Sequence, residues 1–169
     1  MSAVDVRRAE PRDADAVAGV HVRSWQVGYR GLIDDGVLDA LNTEERASRY
    51  TFGLVGPPVT VLAEEAGAVL GFATIGAATG PGDSGTGELL ALYVDPARWR
   101  TGVGRALIAS AREQLVRWRY TSAVLWVLQG NERAQRFYAA DGWAADGSRR
   151  TAEIWGVTVH EVRYRRPLP

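Results

Sequence analysis

The spacing of apolar residues predicts four helical stretches along the chain. They cover residues 11–29, a short segment after Asn42 and Thr43, a longer segment from about Gly102, and residues 131–143. The segment from Gly102 has the 3.6-residue spacing of a helix that packs on one face. Its apolar positions are Val103, Leu107, Ile108, Ala111 and Leu115.

Alternating or continuous apolar runs predict strands between these helices. They lie at residues 4–9, 58–76 (a hairpin turning near 65–67), 88–96, 122–130 and 151–166 (a final pair). The runs at 88–96 and 122–130 are almost continuously apolar, which is typical of central strands covered on both faces. We therefore predict an α/β fold of the α+β, mixed-sheet kind: one domain over residues 1–169, with six to seven strands flanked by about four helices.

Composition and charge narrow the function classes. The chain of 169 residues has twenty basic and twenty acidic side chains, so we expect no nucleic-acid partner held by bulk positive charge. It has no cysteine, and His21 and His160 lack the spacing of metal ligands, so we expect no metal. The first residues contain no apolar signal segment and no run is long enough to span a membrane, which predicts a cytoplasmic protein without a membrane partner.

The segment "DPARWRTGVGRAL", residues 95–107, combines glycines and arginines at the start of a predicted helix. A helix N-terminus has free N–H groups and a partial positive charge, and glycine lets a backbone approach an anion closely. Gly102 and Gly104 with Arg100 and Arg105 therefore predict a phosphate or pyrophosphate site, unless the glycines form only a tight turn. The segment lacks the Gly-Lys-Ser/Thr of a P-loop and the GxGxxG of a dinucleotide site.

A second segment, "NERAQRFYAADGW" at residues 131–143, makes the pattern specific, since it follows a predicted buried strand. Together the two segments resemble the GNAT superfamily of N-acetyltransferases, in which a Val-x-Pro strand end and a Gly-x-Gly helix start precede Asn-x-x-Ala-x-x-Phe-Tyr. The matching residues are Val94, Pro96, Gly102, Gly104, Asn131, Ala134, Phe137, Tyr138, Gly142 and Trp143. The two motifs cover about a third of the chain, and the predicted order of elements fits nearly all of it.

The resemblance implies a GNAT-like fold and acetyl-CoA as co-substrate. Backbone amides would hold its pyrophosphate at Arg100, Thr101, Gly102, Val103, Gly104 and Arg105. Leu92, Tyr93 and Val94 would pair with the pantetheine arm in a slot where this strand is bulged and diverges from the strand at 122–129. Asn131 would bind the cofactor or serve only as an N-cap. Trp99 stands where the family usually has Arg or Gln, and it either covers this loop or packs beside it.

The same resemblance implies direct attack of an amine on the thioester. Glu88 is the candidate base because a protonated amine must lose a proton first, and Glu153 is the alternative. Some relatives have a glutamate on the following strand, where this chain has Trp126. Tyr138 is the candidate acid for the leaving sulfur, and an N–H near Leu92 or Tyr93 would stabilise the oxyanion. Glu88 as a solvated residue and Tyr138 as a core aromatic are the structural alternatives.

The acceptor is the least determined part of the prediction. Trp25 and Tyr29, four residues apart, are either core residues or candidate substrate-contacting residues. Asp34 and Asp35 either attract a cationic amine or form a turn with Gly36. We predict a bacterial-type enzyme that acetylates a small-molecule primary amine. The alternatives are a protein or peptide N-acetyltransferase and, in another class, a non-catalytic CoA-binding regulator. A homodimer is also possible on the basis of the resemblance.

Overall fold

A computed structural model describes residues 3–169, so Met1 and Ser2 of the predicted domain lie outside the described residues. Seven strands form one sheet in the order β1-β2-β3-β4-β5-β7-β6. The strands are β1 (Asp5–Arg8), β2 (Val59–Glu65), β3 (Ala68–Ala77), β4 (Thr86–Val94), β5 (Ser122–Leu128), β6 (Ala144–Ile154) and β7 (Val157–Pro167). All neighbouring strands are antiparallel except β4 and β5. The predicted mixed sheet is thus confirmed, and β6 begins seven residues earlier than the final strand pair predicted from sequence.

Five α-helices accompany the sheet, one more than predicted. They are α1 (Ala14–Gly28), α2 (Asp35–Asp39), α3 (Thr43–Ala47), α4 (Val103–Arg117) and α5 (Glu132–Ala140), and a 3-10 turn at Pro11–Asp13 precedes α1. The additional helix is α2, in the segment where a turn of Asp34 and Asp35 with Gly36 was one of the two interpretations. Asp34 caps it by accepting a hydrogen bond from the Val37 N–H at 3.2 Å, as expected for aspartate at an N-cap. No helix within residues 3–169 is long and apolar enough to cross a membrane.

The helices lie on both faces of the sheet, and each face has its own core. Buried residues of α4, such as Leu107 and Ile108, pack with Leu89 of β4 and Leu125 of β5. On the other face, Val17 and Val20 of α1 pack with Phe72 of β3, and Ala91 and Tyr93 of β4 contact them. Strand β4 therefore alternates between two cores, which explains its nearly continuous apolar sequence.

The arginines near the carboxyl terminus form ion pairs that connect distant segments of the chain. The side chain of Arg163 is only 16% exposed and pairs with Asp83 at 3.2 Å and Asp146 at 2.6 Å. Asp83 is buried and also pairs with Arg165 at 3.3 Å. These ion pairs tether the loop at residues 80–85 to β7. Arg166 pairs with Asp141, which follows α5.

Candidate active site

A cleft opens where β4 separates from β5. The two strands pair only from Thr86 to Leu89 on β4, opposite Ser122 to Leu125 on β5. At the same point Leu89 pairs with Ile75 and Ala91 with Thr74 of β3, so the residue between them, Leu90, is a β-bulge. Such a bulge bends a strand away from its neighbour. The result is a cleft of about 1220 Å³, at the place where the family resemblance implied a slot.

Most of the predicted site residues line this cleft. They are the candidate catalytic Glu88 and Tyr138, the candidate substrate residues Trp25 and Tyr29, and Leu92, Tyr93, Val94, Arg100, Thr101, Gly102, Gly104, Arg105 and Asn131. Val103 is the exception, because its side chain is buried in the core between α4 and the sheet. Any contribution of Val103 to binding is therefore limited to its backbone N–H in the first turn of α4.

The two glycines of the helix start have different roles. Gly102 is the N-cap of α4 and has φ = +94°, a left-handed conformation that side chains rarely adopt. A Cβ at Gly104 would instead lie 3.2 Å from the ring of Phe137 and 3.6 Å from Val94. Gly102 thus sets the turn, whereas Gly104 allows α5 to pack closely on α4. The first turn of α4 has free N–H groups, and such groups at a helix N-terminus are suited to an anion.

Trp99 packs beside this turn and stacks against Arg133 of α5. Its indole Nε1 donates a hydrogen bond of 2.9 Å to the Val94 carbonyl. The guanidinium carbon of Arg133 on α5 lies 3.7 Å from the centre of the Trp99 ring. Arg133 lines the cleft, and burial lowers the pKa of its guanidinium, because partial desolvation disfavours the charged form. Arg133 was not among the residues predicted from the sequence; its position between Asn131 and Ala134 in the motif was the available signal.

Asn131 is an N-cap that also lines the cleft. Its side-chain oxygen accepts a hydrogen bond of 3.2 Å from the Ala134 N–H, and the residue is buried. The oxygen is therefore committed to the helix, and the amide NH₂ is the group available to a ligand. Asn131 can therefore cap α5 and still offer its NH₂ group to a cofactor.

Glu88 is a buried carboxyl group, not a solvated one. It is 7% exposed and its pKa is raised, chiefly because burial disfavours the ionised form, while Arg150 opposes this shift. Glu161 on β7 also lines the cleft and was missed by the sequence analysis. Arg150 donates a hydrogen bond of 2.9 Å to Glu161 and lies 4.3 Å from the centre of the Trp126 ring. The alternative base, Glu153, is exposed and outside the cleft lining.

Tyr138 lies in the cleft on α5 and is 8% exposed. Its ring is also in edge contact with Phe137, at 5.3 Å between centres, so it is both a core aromatic and a cleft residue. Burial raises the pKa of its phenol, the nearby Tyr93 adds to this shift, and Arg133 opposes it. A phenol in this environment stays protonated at neutral pH and can donate its proton.

The acceptor side of the cleft contains linked aromatic residues. Trp25 and Tyr29 are in edge contact at 4.8 Å, and the Tyr29 and Tyr93 hydroxyls are 3.5 Å apart. The Trp25 indole N–H is buried and has no hydrogen-bond partner within residues 3–169. Asp34 and Asp35 lie outside the cleft lining, because Asp34 caps α2 and Asp35 pairs with Arg30 at 3.2 Å. The two aspartates thus form a helix cap and an ion pair, in line with the structural alternative to attracting a cationic amine.

The described part of the chain contains no cluster of three or more His, Asp or Glu side chains arranged to hold a metal ion.

Comparison with known proteins agrees with this geometry. The acetyltransferase (GNAT) family model matches residues 25–143. The N-acetyltransferase YuaI of Bacillus subtilis is 35% identical to the chain over 162 residues, which are 94% of this chain and 90% of YuaI.

Solved structures share the fold at lower identity. The PaiA N-acetyltransferase from Thermoplasma acidophilum, in complex with coenzyme A, has a TM-score of 0.73 at 17% identity, over 98% of this chain and 99% of that one. The acetyltransferase yncA from Salmonella typhimurium, solved with acetyl-CoA, has a TM-score of 0.73 at 20% identity, over 99% and 95% of the two chains. These neighbours show that the chain has the fold of those two proteins.

Proposed function

The chain belongs to the GNAT acetyltransferase family, and from this premise we propose that it transfers the acetyl group of acetyl-CoA to a primary amine of a small molecule. Family membership and the N-acetyltransferase relatives make the chain an acyltransferase. The observation that carries the more specific proposal is a single cleft. A buried carboxyl group, a buried phenol and the glycine turn of α4 all line it.

The cleft fits the donor, because its two ends match the two parts of coenzyme A. At the glycine turn, the N–H groups at the start of α4 and the side chains of Arg100, Arg105 and Arg133 suit phosphate oxygens. Between the strands, β4 from Leu92 onward pairs with β3 but not with β5, and backbone groups on this open edge suit the amides of a pantetheine arm. When bound, acetyl-CoA would supply an activated acetyl thioester.

Glu88 is the proposed base. An alkyl ammonium group has a pKa around 10.4, so most of an amine of this kind is protonated at neutral pH and cannot attack. Glu88 would accept a proton from the acceptor ammonium, directly or through water, and its raised pKa brings it closer to that task. The charge of Arg150 opposes this upward shift of the Glu88 pKa, and the charge of Glu161 adds to it.

Tyr138 is the proposed acid. As the amine nitrogen bonds to the acetyl carbon and the carbon–sulfur bond breaks, the Tyr138 hydroxyl would give its proton to the departing sulfur. The products are the N-acetylated amine and free CoA thiol, with the amine proton returned through solvent to restore the tyrosine. Backbone N–H groups beside the Leu90 bulge would stabilise the charge that develops on the carbonyl oxygen.

A small acceptor is favoured over a protein chain by the walls of the acceptor side. The loop at residues 80–85 is tethered through Asp83 to Arg163 and Arg165. At the other side, Trp155 in the β6–β7 turn packs on Trp25 at 4.4 Å and on His21 at 4.7 Å. We take these two fixed segments as the rims of the acceptor side, where they would limit the approach of a protein chain to Glu88.

The test is release of CoA thiol from acetyl-CoA in the presence of an amine panel that includes amino acids, polyamines, aminoglycosides and short peptides. We expect release with at least one small amine, at a rate that depends on Glu88 and Tyr138. Measurable acetyl-CoA binding without release for any amine would contradict the proposal. Preferential acetylation of peptides would instead support a protein acceptor.

A further inference from the structure

A second, smaller pocket lies beside the bulge of β4. Its volume is about 280 Å³. Its walls are aromatic, with His21 from α1, Tyr50 and Phe52 after α3, and Phe72 from β3. The hydroxyls of Thr60 and Thr74, 2.8 Å apart, add polar atoms to it. This volume suits a ligand, or part of a ligand, of about the size of an amino acid.

The pocket is strongly basic within an overall neutral chain. Arg8, Arg46 and Arg49 line it, and no Asp or Glu is among its lining residues in the described part of the chain. We call it the arginine pocket. Two of the three guanidinium groups have partners, since Arg49 pairs with Glu45 at 2.8 Å and Arg8 donates to the Leu54 carbonyl at 2.6 Å.

Arg46 has no carboxylate partner within residues 3–169. Its guanidinium carbon lies 5.2 Å from the centre of the Tyr50 ring and 5.0 Å from that of Trp155, and its Nε makes one long contact of 3.5 Å with the Tyr50 hydroxyl. Stacking of this kind fixes a guanidinium while leaving its edge free for an anion. Burial, with the charge of Arg46 adding to it, lowers the pKa of His21. The histidine beside the pocket is therefore neutral at pH 7, and Arg46 supplies the unpaired charge.

The arginine pocket adjoins the reaction cleft. Leu90 and Ala91 line both of them. Ala91 and Tyr93 face the α1 side of the sheet, and Leu89 faces the α4 side. Because side chains alternate along a strand, Glu88 faces the α1 side as well. An acceptor on this face would meet the carboxyl group of Glu88 on one side of the bulge and the guanidinium of Arg46 on the other.

We propose that the arginine pocket binds an anionic oxyacid group on the acceptor, so that the preferred acceptors are amines of amino-acid size that carry a carboxylate or a phosphonate. This inference rests on the proposed acetyltransferase function. Arg46 binds the anion and Glu88 receives the amine, and this polarity sets the orientation of the acceptor. Polyamines, which carry positive charge at both ends, are disfavoured because they would place a cation against Arg46.

The experiment compares the L-amino acids with their carboxamides, which have the same skeleton and amine but no negative charge. Wild-type protein and Arg46→Gln are assayed for CoA thiol release with each pair. Calorimetry of the same amino acids on the CoA complex measures binding without turnover. In the pair that gives the fastest thiol release, we expect the wild type to prefer the amino acid over its carboxamide. For that acid, Arg46→Gln should lower kcat/KM or affinity roughly 10- to 100-fold, the loss typical of a hydrogen bond to a charged group. The amide should be unaffected.

Arg117→Gln is the matched control, because Arg117 is an exposed arginine at the end of α4. Acetyl-CoA affinity should stay unchanged in both variants, and Arg46→Lys should restore part of the preference. The phosphonate analogue of the best amino acid distinguishes the two anions. Equal use of acid and amide by the wild type, or an Arg46→Gln effect that is the same for both, would overturn the inference and leave the acetyltransferase function intact. Failure of every amino acid to bind in calorimetry would also overturn it, whereas binding without any thiol release would count against the proposed function instead.

Discussion

The guanidinium of Arg133 stacks on the indole of Trp99, with 3.7 Å between the guanidinium carbon and the ring centre. Trp99 precedes the glycine turn, and Arg133 comes from α5 on the far side of the cleft, so the stack joins the two motifs of the sequence. Both residues also lie within 4 Å of the position that a Cβ on Gly28 would occupy. In this family an Arg or Gln is usual at position 99. Trp99 carries no charge itself, but its ring positions the guanidinium of Arg133, which belongs to α5.

Removal of the Arg133 charge should weaken acetyl-CoA binding. For Arg133→Gln we expect about a 10-fold higher Kd, because a cation that lines the cleft and has no carboxylate partner within residues 3–169 suits a phosphate group. Pantetheine, which lacks phosphates, should bind both proteins equally. Trp99→Leu should have the same direction of effect, since it removes the aromatic face that fixes Arg133. Equilibrium binding at two salt concentrations checks this, and an unchanged Kd for Arg133→Gln would show that the arginine only packs.

Glu88 should determine the acid limb of the pH–rate profile. Burial raises the pKa of this carboxyl group above its usual value near 4.5, so activity should be lost as the pH falls through that raised pKa. Glu88→Gln should lower kcat/KM about 100-fold. The remaining pH dependence of the rate should reflect only deprotonation of the acceptor amine. Its stability should not fall at pH 7. A carboxyl group with a raised folded-state pKa favours the folded state at low pH and loses that contribution as the pH rises. Glu153→Gln, an exposed change, should match the wild type in both assays; a wild-type profile for Glu88→Gln would refute the assignment.

Tyr138→Phe should lower kcat while leaving acetyl-CoA affinity unchanged. The loss of the hydroxyl removes the proton donor to sulfur, for which we expect about a 100-fold decrease, but the aromatic ring that packs on Phe137 remains. The ratio of the two rates should be constant up to about pH 10, because burial raises the pKa of Tyr138 above the usual tyrosine value near 10. Tyr120→Phe provides a control outside the cleft lining. Equal kcat values for Tyr138→Phe and the wild type would leave Tyr138 as a packing residue.

The sequence alone was sufficient for the local parts of this site. The glycine turn before α4 and the cap of α5 at Asn131 depend on neighbouring residues, and both were predicted from them. The slot between the strands followed from the family resemblance, and the structure places its bulge at Leu90.

The parts that sequence reasoning missed depend on contacts between distant segments. Arg163 and Asp83 are eighty residues apart, so the sequence showed only a basic end and a glycine-rich loop. Glu161 lies in the cleft because β7 pairs with β5, and alternation along β7 did not show which neighbour it would face. Trp25 was weighed as either core or substrate residue, and it is both buried and part of the cleft lining.

Gly102→Ala should separate the two roles of the glycine turn, its conformation and its contact with the donor. Gly102 has φ = +94°, and a Cβ there would meet no atom within 4 Å. The cost of the change is therefore backbone strain, about 1–3 kcal/mol of unfolding free energy. Relief of that strain would turn the first N–H groups of α4 away from the phosphate position, so the Kd for acetyl-CoA should rise as well. Gly67→Ala in the β2–β3 turn is the matched control, because Gly67 has φ = +81°, equally open space and no part in the cleft lining. It should lose similar stability in chemical denaturation and retain the wild-type Kd. If both variants bound acetyl-CoA as tightly as the wild type, the amides at the start of α4 would not be the phosphate site.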